Sequence, residues 1–387
     1  MFTYITIKKL MRTSNIAYYN AIFSKTRGVF CVQITVTPVR SFSDLVLFCR
    51  LPYLINNDRS HMAALSPEDP VQYLPASNPT LSHIDLSLYI AWQDKKPVGR
   101  ISASYDRLNP RRDVAFFGSL ICQNSPTIMR ALLRETCLFA ARHKCNILLG
   151  PATFNTNQQV GLLIEGFIHG PQYMLPYNPP YYQQLLEECG LIKEADLLTF
   201  SWSAAQGLPD RIREKAARAL KNLPTARVRT VNAGNIFQEA RIINEIFNQS
   251  MNQLWGYIPV RTEETLATLH SCLQDVHPSL QLVLEVEKEP VGVLLFFPAP
   301  SPTRPGIKSV RAGIMGIVPS FRKRGLDAIL IKRAIELFLQ LGYDEADLSQ
   351  VHENNLVMLN LLSKTFQLKQ TRRYRVYACP LESHLSI

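Results

Sequence analysis

The 387-residue sequence contains no apolar run approaching the ~20 residues that a membrane-spanning helix requires, so no span is expected in it. Its eight cysteines form no C-x-x-C pair and show no zinc-finger spacing. That pattern predicts no metal and no disulfide framework, and leaves buried free thiols in a reducing, cytoplasmic setting. Neither a nucleophile elbow nor a Ser-His-Asp arrangement is evident, which disfavours hydrolase chemistry. Acidic residues are missing until Asp44, whereas residues 1–30 carry several Lys and Arg. We read residues 1–31 as a basic tail, resembling a presequence or an upstream start with Met11 as the true start, though it lacks a clear signal-peptide core.

What the chain does have is positive charge. A formal net charge of +11 and a pI near 9.3 call for an acidic partner: a phosphorylated cofactor, nucleic acid or an anionic membrane. The basic residues gather at Arg211–Lys221, Arg322–Arg324 and Arg372–Arg375 but are not interleaved with stacking aromatics, so nucleic acid is set aside as the main ligand. With 47% hydrophobic and 19% charged residues the chain is globular, and its length exceeds one ordinary core, which predicts two domains.

Periodicity predicts an α/β or α+β order. A strand at Val32–Val39 and a short helix at Ser41–Leu51 lead into a long Pro/Asn/Asp/Ser-rich connection over 52–85. A hairpin follows, Leu88–Gln93 and Lys96–Tyr105 about Asp94-Lys95, then a strand at Val114–Ile121, a helix at Pro126–His143 and a strand at Cys145–Gly150. The loop over 150–182 combines Asn155, Asn157, glycines and Tyr177 just past a strand's C-terminal end, where α/β sites gather. Its alternative reading is a well-packed loop anchoring the helix Tyr181–Cys189. Leu197–Trp202 closes this half, and the basic helix Pro209–Asn222 links it to the next. The order then repeats: strand Ala226–Val231, helices Gly234–Phe247 and Glu263–Cys272, hairpin Leu280–Glu287 and Val291–Phe297 across Lys288-Glu289-Pro290, and strand Val310–Val318. A helix over Asp327–Leu341, a strand over Asp344–Val351, a helix over Leu356–Thr365 and a last strand over Arg373–Ala378 complete it.

The most informative stretch is Met315-Gly316-Ile317-Val318-Pro319-Ser320-Phe321-Arg322-Lys323-Arg324-Gly325-Leu326, where an apolar strand enters a basic turn that opens directly into a helix. Arg322, Arg324 and Gly325, with the free N–H groups of the helix start, would form an anion site fit for phosphate or pyrophosphate. The alternative is a solvated basic turn.

A hairpin, a strand leading into R-x-x-G-x-G/A and a helix, then strand, helix, strand: this order resembles the GNAT acyltransferase fold. The stretches Pro97–Ile101, Phe116–Gly118, Gly150–Phe167, Pro176–Tyr182 and Glu353–Asn355 extend the resemblance, over residues 37–380, to a bacterial family of tandem GNAT proteins related to bacterial ceramide synthases. The resemblance implies two GNAT-like domains, each a mostly antiparallel sheet flanked by helices. The first, 32–203, would shape the acceptor or acyl pocket; 204–225 would be a linker helix; the second, 226–387, would hold acyl-CoA. It further implies an acyl-CoA-dependent N-acyltransferase that needs no metal, acting on an amine such as a long-chain sphingoid amine, cytoplasmic or peripheral at the inner membrane with contact to anionic lipid. The implied cofactor site is Ile317, Val318, Arg322, Lys323, Arg324, Gly325, Leu326 and Asp327, with Asn355. The chain departs from the family pattern at Asp327 (Gly/Ala), at Gln159 and Asp347 (Glu) and at Gln350 (Trp).

Amine acylation requires an amine that loses its proton, a stabilised thioester oxygen and a reprotonated thiolate. Glu353 and His352, at the end of the strand after the cofactor helix, are the expected catalytic pair, with Tyr374 as the thiolate's proton donor. Asn155, Asn157 and Tyr177 are the expected substrate-lining residues. Competing readings are helix capping for Glu353–Asn355 and an ordinary strand aromatic for Tyr374. At the level of function, the competitors are an aminoacyl-tRNA-dependent Fem-like transferase and a GNAT-fold binding protein without activity.

Overall fold

The computed structural model describes residues 33–55, 69–172, 174–300 and 306–381, so the basic tail lies outside the described residues. The two hairpins show how local sequence sets the frame. Strands β2 (Ile84–Gln93) and β3 (Lys96–Asp106) pair antiparallel with Gln93 opposite Lys96. Asp94 and Lys95 both take positive φ, as a two-residue turn matched to strand twist demands. The second hairpin joins β9 (Leu282–Val286) and β10 (Glu289–Pro298) through Glu287 and Lys288, again both at positive φ. Its turn therefore falls before Glu289-Pro290 rather than across it, because Pro290 is already inside the ladder opposite Glu285.

Around these lie β1 (Ile34–Pro38), β4 (Val114–Cys122), β5 (Ile147–Gly150), β6 (Leu162–Glu165), β7 (Ile192–Ser203), β8 (Arg227–Thr230), β11 (Ser309–Ile317), β12 (Glu345–His352) and β13 (Gln370–Pro380). The helices are α1 (Phe42–Ile55), α2 (Pro126–Arg142), α3 (Tyr181–Glu188), α4 (Asp210–Asn222), α5 (Ile236–Met251), α6 (Thr262–Asp275), α7 (Leu326–Gln340) and α8 (Leu356–Asn360), the last continuing as a wider turn over Leu361–Thr365. The long connection expected over 52–85 is shorter than the sequence suggests. Helix α1 runs to Ile55 with Pro52 inside it, 3₁₀ turns occupy Pro70–Tyr73 and Pro79–His83, and β2 begins at Ile84. Strand β6 lies inside the stretch 150–182 that the sequence reading treats as a loop.

Among the described residues, thirteen strands form one sheet in the order β1-β2-β3-β4-β5-β13-β7-β12-β11-β10-β9-β8, with β6 beside β13. Only β4/β5 and β11/β12 are parallel; the other pairs are antiparallel. The two halves repeat in element order but trade their last strands. Strand β7, expected to close the first half, pairs with β12 of the second (Ala346 opposite Trp202). Strand β13, the last of the chain, pairs with β5 of the first (Ala378 opposite Leu149) and with β7. One sheet and one continuous backbone ladder thus carry both halves, and the centre of that ladder is where the site is built.

Candidate active site

The basic turn keeps its predicted form and gains an explanation for each residue. After the 3₁₀ turn Pro319–Phe321, Lys323 takes φ 61° and Gly325 φ 79°, and Gly325 caps α7 with no side chain bonded to the helix start. The first-turn N–H groups of α7 therefore have no side-chain acceptor. A Cβ on Gly325 would lie 2.9 Å from the Ala219 Cβ on α4, so glycine is demanded both by conformation and by the close approach of that helix. Arg322 is engaged within the protein: its Nε donates to the Ile317 carbonyl (3.0 Å) and its Nη2 to the Ser250 carbonyl on α5 (2.6 Å). Arg324 donates to the Ser320 carbonyl and lies over the Phe321 ring. Both arginines shape the turn, which leaves backbone N–H groups to meet an anion. Asp327, which would repel that anion, is paired with Lys215 Nζ on α4 at 2.5 Å.

Beyond this turn the sheet opens. Strands β11 and β12 pair only from Ser309–Ala312 against Glu345–Leu348; β11 runs on to Ile317 and β12 to His352 without each other. Two cavities meet at the gap. One, of about 310 Å³, is lined by Leu294, Phe296, Ala312, Ala346, Leu348 and, from α7, Ile331, Ala334 and Phe338. The other, of about 730 Å³, is lined by Leu295, Phe297, Arg311, His352 and, from α5 and α6, Ile243, Phe247, Glu264 and Thr265. Neighbouring residues of a strand face opposite sides. Leu294 and Phe296 against Leu295 and Phe297 on β10, and Ala312 against Arg311 on β11, therefore place the cavities on opposite faces of the sheet. Both share Gly313, Ile314, Ser349 and Gln350, at the gap, and Asn157 and Trp255 above it. The arrangement is a passage through the sheet, almost wholly apolar on one side and mixed on the other, where Glu264, Thr265, Arg311 and His352 join the apolar lining.

The family profile described as Acetyltransferase (GNAT) family matches residues 243–366, which span the second cavity wall, the basic turn, α7, the open gap and α8. A protein of Caulobacter vibrioides named bacterial ceramide synthase is 26% identical over 376 residues, covering 89% of this chain and 97% of that one. The Escherichia coli protein YghO is 26% identical over 344 residues, covering 79% of this chain and 85% of that one. A tandem GNAT protein from the clavulanic acid biosynthesis pathway superposes with a TM-score of 0.52 at 11% identity, covering 90% of this chain and 99% of that chain. The chain carries a GNAT-family acyltransferase domain over residues 243–366. GNAT acyltransferases take a CoA thioester and an amine acceptor, and the family's cosubstrate is acetyl-CoA or acyl-CoA.

Placed in this acyltransferase, the expected catalytic residues separate. His352 lines the second cavity, stacked on Trp255 with ring centroids 5.1 Å apart. Its Nδ1 accepts the Asn354 N–H at 3.0 Å, and burial pushes its pKa below the ordinary value. A neutral ring accepting at Nδ1 carries its hydrogen on Nε2. His352 is thus set up as a donor rather than as the expected base. Glu353 lines neither cavity. Burial raises its pKa, but the Lys193 ammonium (2.7 Å) and the Asp196 N–H (2.9 Å) outweigh burial and hold it below the ordinary range. Glu353 is a locked carboxylate that ties β12 to β7. Tyr374 is 1% exposed and lines neither cavity; burial drives its pKa far up. It is a core aromatic.

The expected substrate residues divide as well. Asn157 lines both cavities and donates to the Ile258 carbonyl. Asn155 is 1% exposed and donates to the Asp106 carboxylate, while its own Oδ1 accepts the Asn157 N–H, so it supports Asn157 from below. Tyr177 packs in the core against Phe167 and lines neither cavity. Asn355 lines both cavities, and its Oδ1 caps the Met358 N–H, so capping and lining coexist. Val318 and Leu326 are buried supports of the turn.

Sequence reasoning missed a buried charge cluster that reaches the second cavity through Glu264. Glu264 on α6 accepts from Thr80 Oγ1 and the Arg261 N–H, and lies 3.1 Å from His83 Nε2. His83 Nδ1 lies 2.8 Å from Asp106. Burial alone would depress the His83 imidazole; the two carboxylates at its nitrogens outweigh it and lift the pKa to about 9. The cluster thus holds an imidazolium between two carboxylates and joins the 3₁₀ turn Pro79–His83 and β3 of the first half to α6 of the second. Its parts are far apart in sequence and carry no motif. Asp347, on the face of β12 that also bears Ser349, sits 3.5 Å from Arg372; burial pushes its carboxyl up against the pull of Ser349, Arg372 and Arg311.

The corresponding opening in the first half is closed. Strands β4 and β5 also pair only from Val114–Phe116 against Ile147–Leu149. There, Tyr182 Oη accepts the Cys122 N–H (2.7 Å), Tyr181 donates to the Cys122 carbonyl (2.9 Å), and the Ala152 N–H donates to the Phe117 carbonyl. Helix α2 is capped by its own Ser125, and the turn Cys122–Ser125 has neither Arg nor Gly. Among the described residues no cluster of His, Cys, Asp and Glu could hold a metal ion, and no helix is long and apolar enough to cross a membrane.

Proposed function

We propose that the chain transfers an acyl group from acyl-CoA to the amine of a long-chain, sphingoid-type acceptor. The observation that carries this reading is the gap between β11 and β12, where an apolar cavity on one face meets, on the other, a cavity that combines apolar lining with Glu264 and His352. The second half, 226–387, would hold acyl-CoA: its pyrophosphate on the N–H groups after Gly325, its thioester in the gap and its acyl chain in the apolar cavity under α7. The first half, 32–203, would complete the acceptor side through Asn157, and the connecting segment 204–225 would supply Lys215. The similarity to the bacterial ceramide synthase of Caulobacter vibrioides supports the lipid assignment.

The chemistry follows from the side chains present. The amine forms the N–C bond as the C–S bond breaks, and the proton leaving the amine balances the one taken up by the thiolate. His352 lines this cavity, and its Nε2–H would donate to the oxyanion or thiolate charge that develops there. Glu264 is the only carboxylate lining the acceptor-side cavity among the described residues. Its cluster carries one net negative charge when His83 is protonated, which would attract an ammonium and accept its excess charge. The test is release of free thiol from acyl-CoA by the purified chain, with sphinganine present or absent. Amine-dependent release, with the N-acyl product found by mass spectrometry, supports the reading; thiol release that ignores the amine contradicts it.

A further inference from the structure

The mouth of the acceptor-side cavity has an unusual composition for so basic a protein. Met174 (36% exposed), Leu254 (46%), Leu356 (65%) and Val357 (84%) all line this cavity and all stand in solvent. Residues that do both lie at its rim. The other exposed residues of the lining are Gln253, Gly313 and Asn354, so no exposed lining residue is charged. Elsewhere the molecule keeps a formal charge of +11. Four apolar side chains from three separate segments, converging on one opening, exceed the scattered surface leucines that any protein shows.

We infer that this rim is a docking surface for an anionic lipid bilayer, through which a long-chain amine enters the cavity directly from the membrane. The inference rests on the acceptor assigned to this cavity above. Two physical reasons favour a bilayer as the occupant. Leucine, valine and methionine set in a ring free of charge can enter the headgroup region without dragging charge into it, and binding strengthens with each methylene they bury. The net positive charge supplies long-range attraction to anionic headgroups. The same opening also removes a difficulty of substrate delivery, because an amine with a long alkyl chain has little free concentration in water.

The experiment uses the full chain and flotation with two kinds of vesicle: phosphatidylcholine alone, and an equimolar mixture with phosphatidylglycerol. The wild type should float with the anionic vesicles and not with the neutral ones. A Leu356→Asp/Val357→Asp double variant should lower the bound fraction about tenfold or more, whereas Phe237→Asp, at an exposed apolar residue that does not line the cavity (69% exposed), should leave it unchanged. Thermal melting of each variant separates loss of binding from loss of fold. Three results would overturn the inference: no flotation of the wild type, flotation of the double variant equal to wild type, or a dimer that the double variant breaks while vesicle binding is absent. Calorimetric titration with CoA, run alongside, distinguishes the two readings. A protein that binds CoA and not vesicles loses only the docking surface, and one that binds vesicles and not CoA loses the acyltransfer reading.

Discussion

Titrating His83 should reveal how firmly the two halves of the sequence are joined. The ring is 1% exposed, with the Asp106 and Glu264 carboxylates at its two nitrogens. Its pKa rises from 6.5 to about 9 on folding. A group whose folded pKa is raised gives its full stabilisation below the unfolded value and loses it as pH climbs through the folded one. At about 1.36 kcal/mol per unit, this shift makes the protein less stable by on the order of 3 kcal/mol at pH 9.5 than at pH 6.5. Equilibrium urea unfolding at a series of pH values measures this directly, because a change in midpoint at constant slope is a change in stability. His83→Gln should flatten that pH dependence. It should also destabilise the protein at pH 6.5 by roughly 3–5 kcal/mol, since two buried carboxylates then face each other unpaired. If that variant does not fold, the wild-type curve still decides the matter. A stability profile level between pH 6.5 and 9.5 would refute the imidazolium between the two carboxylates.

Other perturbations probe the site itself. Lys215→Met leaves Asp327 uncompensated beside the turn; a charge about 5 Å from an anion costs on the order of 1–3 kcal/mol in a partly solvated setting, so CoA should bind roughly 10- to 100-fold more weakly. Adding Asp327→Ala to that variant should restore the affinity, which a purely structural role for Lys215 would not allow. His352→Ala should lower kcat about 10²–10³-fold with KM little changed, while Glu353→Gln should alter kcat only a few-fold; the reverse order would restore Glu353 as the catalytic group. Tyr182→Phe leaves the buried Cys122 N–H without its acceptor, and urea unfolding should show a loss of about 1–3 kcal/mol at unchanged CoA affinity.

The basic turn was legible because its signal is local: an apolar strand, a glycine and a helix start adjoin in sequence, and the positive φ of Gly325 is the conformation glycine permits. Likewise both hairpins and most helices follow from period and turn chemistry. The exchanged strands were hidden for a physical reason. Strands Ile192–Ser203 and Gln370–Pro380 are alike in apolar alternation, and nothing in either states which parallel edge it covers; that choice is made by long-range packing. The same limit explains Tyr374 and Glu353. Each has a residue type suited to catalysis and a plausible position along its strand, yet burial for one and the Lys193 and Asp196 contacts for the other depend on partners far off in the chain. Glu264 went unread because His83 and Asp106 meet it only in the folded state. Asp327 looked like a misfit beside an anion site until α4 brought Lys215 to it.

The central claim is that one half of the molecule, and one alone, receives acyl-CoA, because the gap beside β11 is open while the gap beside β4 is closed by Tyr181 and Tyr182. Isothermal titration of the purified chain with palmitoyl-CoA, below its micelle-forming concentration, and with CoA itself tests this directly. The account predicts one site per chain for each ligand, weakened by Gly325→Ala, which places a Cβ against Ala219 and strains the turn. Two sites per chain, or no heat of binding from a folded protein, would contradict it.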